Sequence, residues 1–217
     1  MEKRKTVLVF GTFNPVTNAH IHIGKLAKEH INADRVLYIL AHDKFLGSWK
    51  QMGNENILHS TTRIALLQEA IAPYGFEVED AEAKGIVDGK TYNTVAYLHE
   101  KYPNDEFYLC MGIDKIPELD IWYEAEKLIA NNKFLIIDRD GKTLEDVKGN
   151  SQLVQRYEEN FISVHNTEFA SVNATEIRKA YKEHEIEKMK KKIPTSVYNY
   201  LHDHKEVFGK WEISMDM

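Results

Sequence analysis

Apolar positions along the chain fall into two alternating rhythms. Short continuous runs come at Thr6–Phe10 (TVLVF), Arg35–Leu40 (RVLYIL), Glu106–Met111 (EFYLCM) and Lys133–Ile137 (KFLII). Runs of this length, rich in β-branched and aromatic residues, predict strands buried on both faces. Phe76–Glu79 and Phe161–Val164 predict two shorter strands. Between the strands the apolar spacing changes to three and four. Ile21, Ile23, Leu26 and Ala27 predict a helix over His20–His30. Ile64, Leu66, Leu67 and Ile71 predict one over Thr61–Ala72, and Val95, Leu98 and Tyr102 one over Thr91–Lys101. Two more are predicted at Ala174–Glu183 and Thr195–His204, with Pro194 at the start of the second, where its missing N–H costs little. A long polar loop fills 41–59.

Alternating strands and helices predict an α/β fold, a doubly wound parallel sheet with helices on both faces. No repeat, low-complexity tract or linker divides the chain, so residues 1–217 read as a single domain. Ligands in such folds bind beyond the carboxyl ends of the strands. The turns after Phe10 and after Met111 are therefore the places where chemistry is expected.

Composition narrows the function classes. Of 217 residues, 43% are hydrophobic and 29% charged, which fits a globular protein. The net charge of -6 argues against general nucleic-acid binding, though not against a local basic pocket for phosphates. No segment approaches the ~20 apolar residues of a membrane span. The apolar run after Lys3-Arg4-Lys5 is too short for a secretory core, so a cytoplasmic protein is expected. The single cysteine, Cys110, can form no internal disulfide and reads as a buried strand thiol. The basic run Lys188–Lys192 reads as a solvated helix end.

The segment from Gly11 to His20 (GTFNPVTNAH) is the most informative stretch. A strand leads into it and a helix leads out. Gly11 and Thr12 let backbone approach a ligand. Thr17 and Asn18 are good N-cap types, so a helix begins there, and its free N–H groups and dipole form an anion site. Thr17 and His20 share a face of the first turn, where an imidazole can donate to a phosphate. His22 falls on a different face.

GTFNPVTNAH resembles the phosphate-binding motif of the nicotinate/nicotinamide mononucleotide adenylyltransferases, nucleotidyltransferases with an [HT]-x-G-H-type signature. Thr17 and Ala19 stand where bacterial nicotinate mononucleotide enzymes usually have histidine and glycine. The resemblance extends to Ser171–Arg178 (SVNATEIR), similar to the family's I-S-[SA]-T-x-I-R motif. There Asn173 can cap a helix, Thr175 sits in its first turn and Arg178 lies one turn on. A guanidinium beside a helix N-terminus suits a di- or triphosphate. Met111-Gly112-Ile113-Asp114, followed by Trp122, resembles the family's G-x-D and stacking tryptophan.

What this resemblance implies is ATP held by Gly11, Thr12, Phe13, Thr17, His20, Gly112, Asp114, Asn173, Thr175 and Arg178. The pyridine mononucleotide would meet Phe13, Asn14, Lys44, Thr91, Trp122 and Arg139. Residues 166–208 would be a C-terminal helical part completing the ATP site. Thr91 belongs to a segment similar to [ST]-Y-T-x-[DN]-T-L, matched to within a residue or two. Either Lys44 or Arg63 would meet the incoming phosphate. Trp122 would stack on the pyridine ring, and Arg139 could select the acid form. His20, Arg178 and Lys44 would carry catalysis, with Mg²⁺ brought on ATP and no closed protein metal cage. The expected reaction is adenylyl transfer from ATP to nicotinate mononucleotide. Nicotinamide mononucleotide is the alternative acceptor, and pantetheine phosphate or a cytidylyl acceptor a further one. A non-catalytic nucleotide-binding regulator is the remote alternative. A dinucleotide oxidoreductase is excluded, because the first turn lacks G-x-G-x-x-G.

Overall fold

The computed structural model describes residues 3–139, 141–166, 168, 172–204 and 206–208. Its elements run β1 (Arg4–Gly11), α1 (Asn18–Ile31), β2 (Arg35–Leu40), α2 (Ser60–Ile71), β3 (Glu77–Glu79), α3 (Thr91–Lys101) and β4 (Asp105–Gly112). They continue with α4 (Ala125–Ala130), β5 (Lys133–Ile137), α5 (Leu144–Val147), α6 (Gln152–Arg156), β6 (Phe161–Val164), α7 (Ala174–Lys182) and α8 (Thr195–Asp203).

All six strands are parallel, in the order β3-β2-β1-β4-β5-β6. The order reverses between β1 and β4. That topological switch point opens a crevice at the carboxyl ends of both strands. Alternation within each strand divides the core into two. Val7 and Val9 of β1 face a layer that includes Ile21 of α1, Leu66 and Leu67 of α2, Ile177 of α7 and Val197 of α8. Leu8 faces the other way, against Val95 and Leu98 of α3, Leu128 of α4, Leu144 of α5 and Val154 of α6. Both faces of the sheet are covered, as the near-continuous apolar strands require.

The predicted strands and long helices are all present, with ends shifted by no more than two residues. Two regions differ from expectation. The loop 41–59 is not featureless: it holds a π-type turn at Phe45–Trp49 and a 3₁₀ turn at Asn54–Asn56, anchored by the fully buried Leu46, Ile57 and Leu58. Between β4 and β6 lie a 3₁₀ segment at Ile113–Ile121 and the short helices α4–α6. Each of these is too short to show a helical period in sequence.

Cys110 is buried among apolar neighbours, and burial pushes its thiol up to about 12, so it is an inert core group. Among the described residues no helix is long and apolar enough to cross a membrane.

Candidate functional site

A cavity of about 500 Å³ opens at the switch point. Its wall takes Thr12 from the turn after β1, Ala19 and His20 from α1, and Gly112 from the end of β4. Asp138 and Arg139 follow β5, Asn166 follows β6, and Asn173, Thr175 and Arg178 come from the start of α7. The first and last sequence motifs thus meet across the sheet. Of the expected site residues, Thr12, His20, Gly112, Arg139, Asn173, Thr175 and Arg178 share this wall.

The turn after β1 is shaped from within. Phe13 adopts φ 43°, a left-handed conformation costly for a bulky residue, and its ring is 1% exposed. The ring meets His20 edge-on at 5.2 Å between centroids and Tyr38 at 5.5 Å. A Cβ at Gly11 would come within 2.7 Å of that ring. Gly11 is therefore required by Phe13. The peptide bond between Asn14 and Pro15 is cis.

Thr17 caps α1, and its backbone N–H donates to His20 Nδ1 at 3.0 Å. The Thr17 hydroxyl also lies 2.9 Å from Nδ1. A ring nitrogen that accepts from a backbone N–H carries no proton, so the ring proton sits on Nε2. Burial, and then the nearby Lys50, lower the His20 pKa to about 4. At neutral pH the ring is uncharged and offers one N–H. Tyr38 Oη supports the same turn, donating to the His20 carbonyl at 3.0 Å.

Across the cavity, Asn173 Oδ1 accepts from the Glu176 N–H at 3.0 Å and so caps α7, as its sequence position predicted. Arg178 Nη2 donates to Thr175 Oγ1 at 3.0 Å, and Nη1 donates to the Asn14 carbonyl at 2.8 Å. Each amino group keeps a second N–H. Burial lowers the Arg178 pKa from its ordinary value. Ser171, the first residue of this motif, lies outside the described residues.

Several expected ligand contacts are corrected. The side chains of Phe13, Asn14 and Thr17 are 1%, 1% and 0% exposed and point into the protein. Asn14 spends its carboxamide on the loop after β2, donating to the Asn56 carbonyl at 2.9 Å and accepting from the Leu58 N–H at 2.8 Å. Arg63, a candidate for the incoming phosphate, is fully buried on α2. It donates to the carbonyls of Leu58, Thr12 and Ala41 and to Asp43. Lys44 and Lys50 are both exposed, but only Lys50, six residues on, is on the cavity wall. Burial, then Lys115 and Arg178, lower the Lys50 pKa, while Asp114 and Glu118 oppose the shift. Lys50 was overlooked because nothing in the polar run 41–59 distinguishes one lysine from the next.

Arg139, expected with the pyridine, lines the cavity of His20 and Arg178. Asp114 stands at the rim, 54% exposed and 3.9 Å from Lys115. Thr91 and Trp122 are not on the wall. Thr91 opens α3, where neighbouring Tyr92 meets Tyr123 at 6.2 Å between centroids, and Trp122 packs half-buried on the same apolar layer. These residues form a second aromatic patch at the carboxyl edge of the sheet, with Tyr123 51% exposed. Among the described residues no three His, Cys, Asp or Glu side chains converge as a metal cage.

Comparison with known proteins places this geometry in context. The family model described as cytidylyltransferase-like matches residues 8–180. A probable nicotinate-nucleotide adenylyltransferase of Clostridium tetani is 24% identical over 91% of this chain and 96% of its own. Another, of Geobacter sulfurreducens, is 34% identical over 66% of this chain and 64% of its own. Among solved structures, Plasmodium falciparum nicotinic acid mononucleotide adenylyltransferase complexed with NaAD superimposes with a TM-score of 0.70 at 20% identity, over 92% of this chain and 95% of that one.

Proposed function

The chain belongs to the cytidylyltransferase-like family, and from that premise we propose that it transfers the adenylyl group of ATP to nicotinate mononucleotide, giving deamido-NAD and pyrophosphate. The observation that carries this reading is the meeting of His20 and Arg178 on one cavity wall at the β1/β4 switch point. The names of the full-length relatives support the same acceptor.

The reaction is an in-line displacement. An oxygen of the mononucleotide 5′-phosphate attacks the α-phosphorus of ATP, the bond to the bridging oxygen breaks, and that oxygen leaves with pyrophosphate. The protein need supply no covalent nucleophile. It must bring two anions together and stabilise charge on the leaving group. Neutral His20 gives a directed N–H rather than a charge. The positive charge comes from Arg178 and Lys50, which replaces Lys44 in that role. Gly112 and Asp114 would meet the ATP ribose or adenine, and the start of α7 its phosphates, so that residues 166–208 complete the ATP site. Mg²⁺ would arrive on the ATP phosphates, where it would supply further charge neutralisation. Trp122 and Thr91 would take the pyridine end, a flat ring suited to an aromatic patch.

Pyrophosphate release with ATP and each mononucleotide in turn tests the reading. The nicotinate form should give the higher kcat/KM. A preference for nicotinamide mononucleotide, or activity only with CTP, would replace the acceptor or the donor assigned here.

A further inference from the structure

Two buried polar side chains in the frame of the cavity take no part in the chemistry above. Asn14 is 1% exposed and Arg63 0%. Asn14 joins three segments: its carboxamide holds the Asn56 carbonyl and the Leu58 N–H, and its own carbonyl receives Arg178. Arg63 holds the Thr12 carbonyl at 2.6 Å, the Ala41 carbonyl at 2.8 Å and the Leu58 carbonyl at 3.1 Å, and it pairs with Asp43. Asp43 in turn accepts from the Ser60 N–H at 3.1 Å.

The loop 41–59 is thus an arch with both feet on the phosphate turn. One foot is Ala41 and Asp43, the other Asn56 and Leu58. Lys50 stands on the span between them and reaches the cavity wall. Burying a guanidinium and a carboxamide is costly unless every group is paired, and well-packed apolar residues would often stabilise the fold as well or better. What the polar pair adds is direction: hydrogen bonds fix where each carbonyl and N–H must lie.

We propose that Asn14 and Arg63 are positioning residues, a buried brace that sets the Lys50 arch and the Arg178 guanidinium in register with the phosphate turn. The proposal rests on the adenylyl-transfer reading of the cavity. Neither side chain touches substrate; both act through Lys50 and Arg178.

Two measurements test it. The first needs no activity. Asn14→Ala and Arg63→Lys are digested with trypsin in their folded state and the first cuts located by mass spectrometry. Arg63→Lys keeps a charge for Asp43 but cannot span three carbonyls. Cutting after Lys44 or Lys50 should speed up ~10-fold or more, as expected of a segment whose local opening has become easier, while core sites stay protected. Unchanged cutting of the arch, or equal acceleration everywhere, overturns the brace. Where the alanine variant does not accumulate folded, Asn14→Asp, which can keep the Leu58 contact and loses the Asn56 one, takes its place.

The second is a double-mutant cycle in kcat/KM between Asn14→Ala and Lys50→Ala. Misplacing a charged group by about 1 Å can cost ~100-fold, so each single change should lower kcat/KM by ~10- to 100-fold. The double variant should fall clearly short of the product of the two single losses, because part of the Asn14 effect runs through Lys50. Losses that simply multiply overturn the route through Lys50. Full turnover in Lys50→Ala alone would instead refute the role given to Lys50 in the reaction, and the digestion would still decide the brace.

Discussion

Replacing His20 with alanine should separate the chemical from the structural work of this ring. The structural loss can be built from its contacts. The Thr17 N–H, on a residue with no exposed surface, loses its acceptor, which costs about 1–3 kcal/mol for a buried donor left unpaired. The edge-on contact with Phe13 adds about 0.5–1.5 kcal/mol. Together these give about 1.5–4.5 kcal/mol and, for a chain of this length, a fall in Tm of roughly 3–18 °C. The chemical loss is a separate quantity. Removing one preorganised donor from a developing oxyanion lowers kcat by ~10²–10³.

His20→Asn distinguishes the two. Its side-chain oxygen can stand near the position of Nδ1 and accept from Thr17, but its N–H falls short of the place of Nε2. Thermal melts and pyrophosphate release at saturating ATP and nicotinate mononucleotide are the assays. Stability should largely return in His20→Asn while kcat stays low. A kcat for His20→Ala within about tenfold of the parent would refute the donor role, given that scale. Turnover restored together with stability in His20→Asn would show that the ring serves only to shape the turn.

The charge state of the same ring gives a pH prediction. The folded ring titrates near 4 and the unfolded one near 6.5. Between these values the unfolded chain holds the extra proton, so this contribution is whole above 6.5 and is lost as pH falls toward 4, by up to about 3 kcal/mol. Denaturant melts at pH 7 and 4.5 should show a smaller acid loss in His20→Asn, and an NMR titration of the ring with a midpoint near 6.5 would contradict the assignment. Lys50→Ala should lower kcat/KM by at least ~10-fold while Lys44→Ala stays within about threefold, since only a charge facing the reacting phosphates acts in the transition state; equal losses would count against the cavity. Gly24→Ala should destabilise by about 1–3 kcal/mol, although the same change in an exposed helix is usually favourable. Its Cβ would run into the Tyr38 hydroxyl and sit 2.9 Å from Cζ. Melts of Gly24→Ala with and without Tyr38→Phe check this, because removing the hydroxyl should recover part of the loss.

The sheet was readable because its central strands are buried on both sides. Val7–Val9, Val36–Leu40 and Phe134–Ile137 are apolar without interruption, so no register had to be guessed. The segment 113–130 was not readable, since Pro117 and a helix of six residues leave no period to detect. The motifs located the cavity but not the direction of its side chains. In GTFNPVTNAH, Thr12, Ala19 and His20 reach the wall while Phe13, Asn14 and Thr17 turn inward. A pattern of identities holds no record of which members bind ligand and which hold the others in place. Arg63 shows the same limit: four hydrogen bonds from a buried guanidinium leave no trace in a sequence where arginine otherwise suggests surface.

The meeting of residues 12–20 with 173–178 has a consequence for biosynthesis. A ribosome extends a chain by ~5–20 residues per second, and domains fold largely as they emerge. The last described strand ends at Val164, so the whole parallel sheet can assemble before Arg178 has emerged. Until then the phosphate turn lacks the guanidinium that holds the Asn14 carbonyl. Substrate binding stabilises only the form that binds it. ATP should therefore protect the finished polypeptide from proteases and leave chains stalled before residue 173 unprotected, so that the ligand itself discriminates completed molecules from truncated ones.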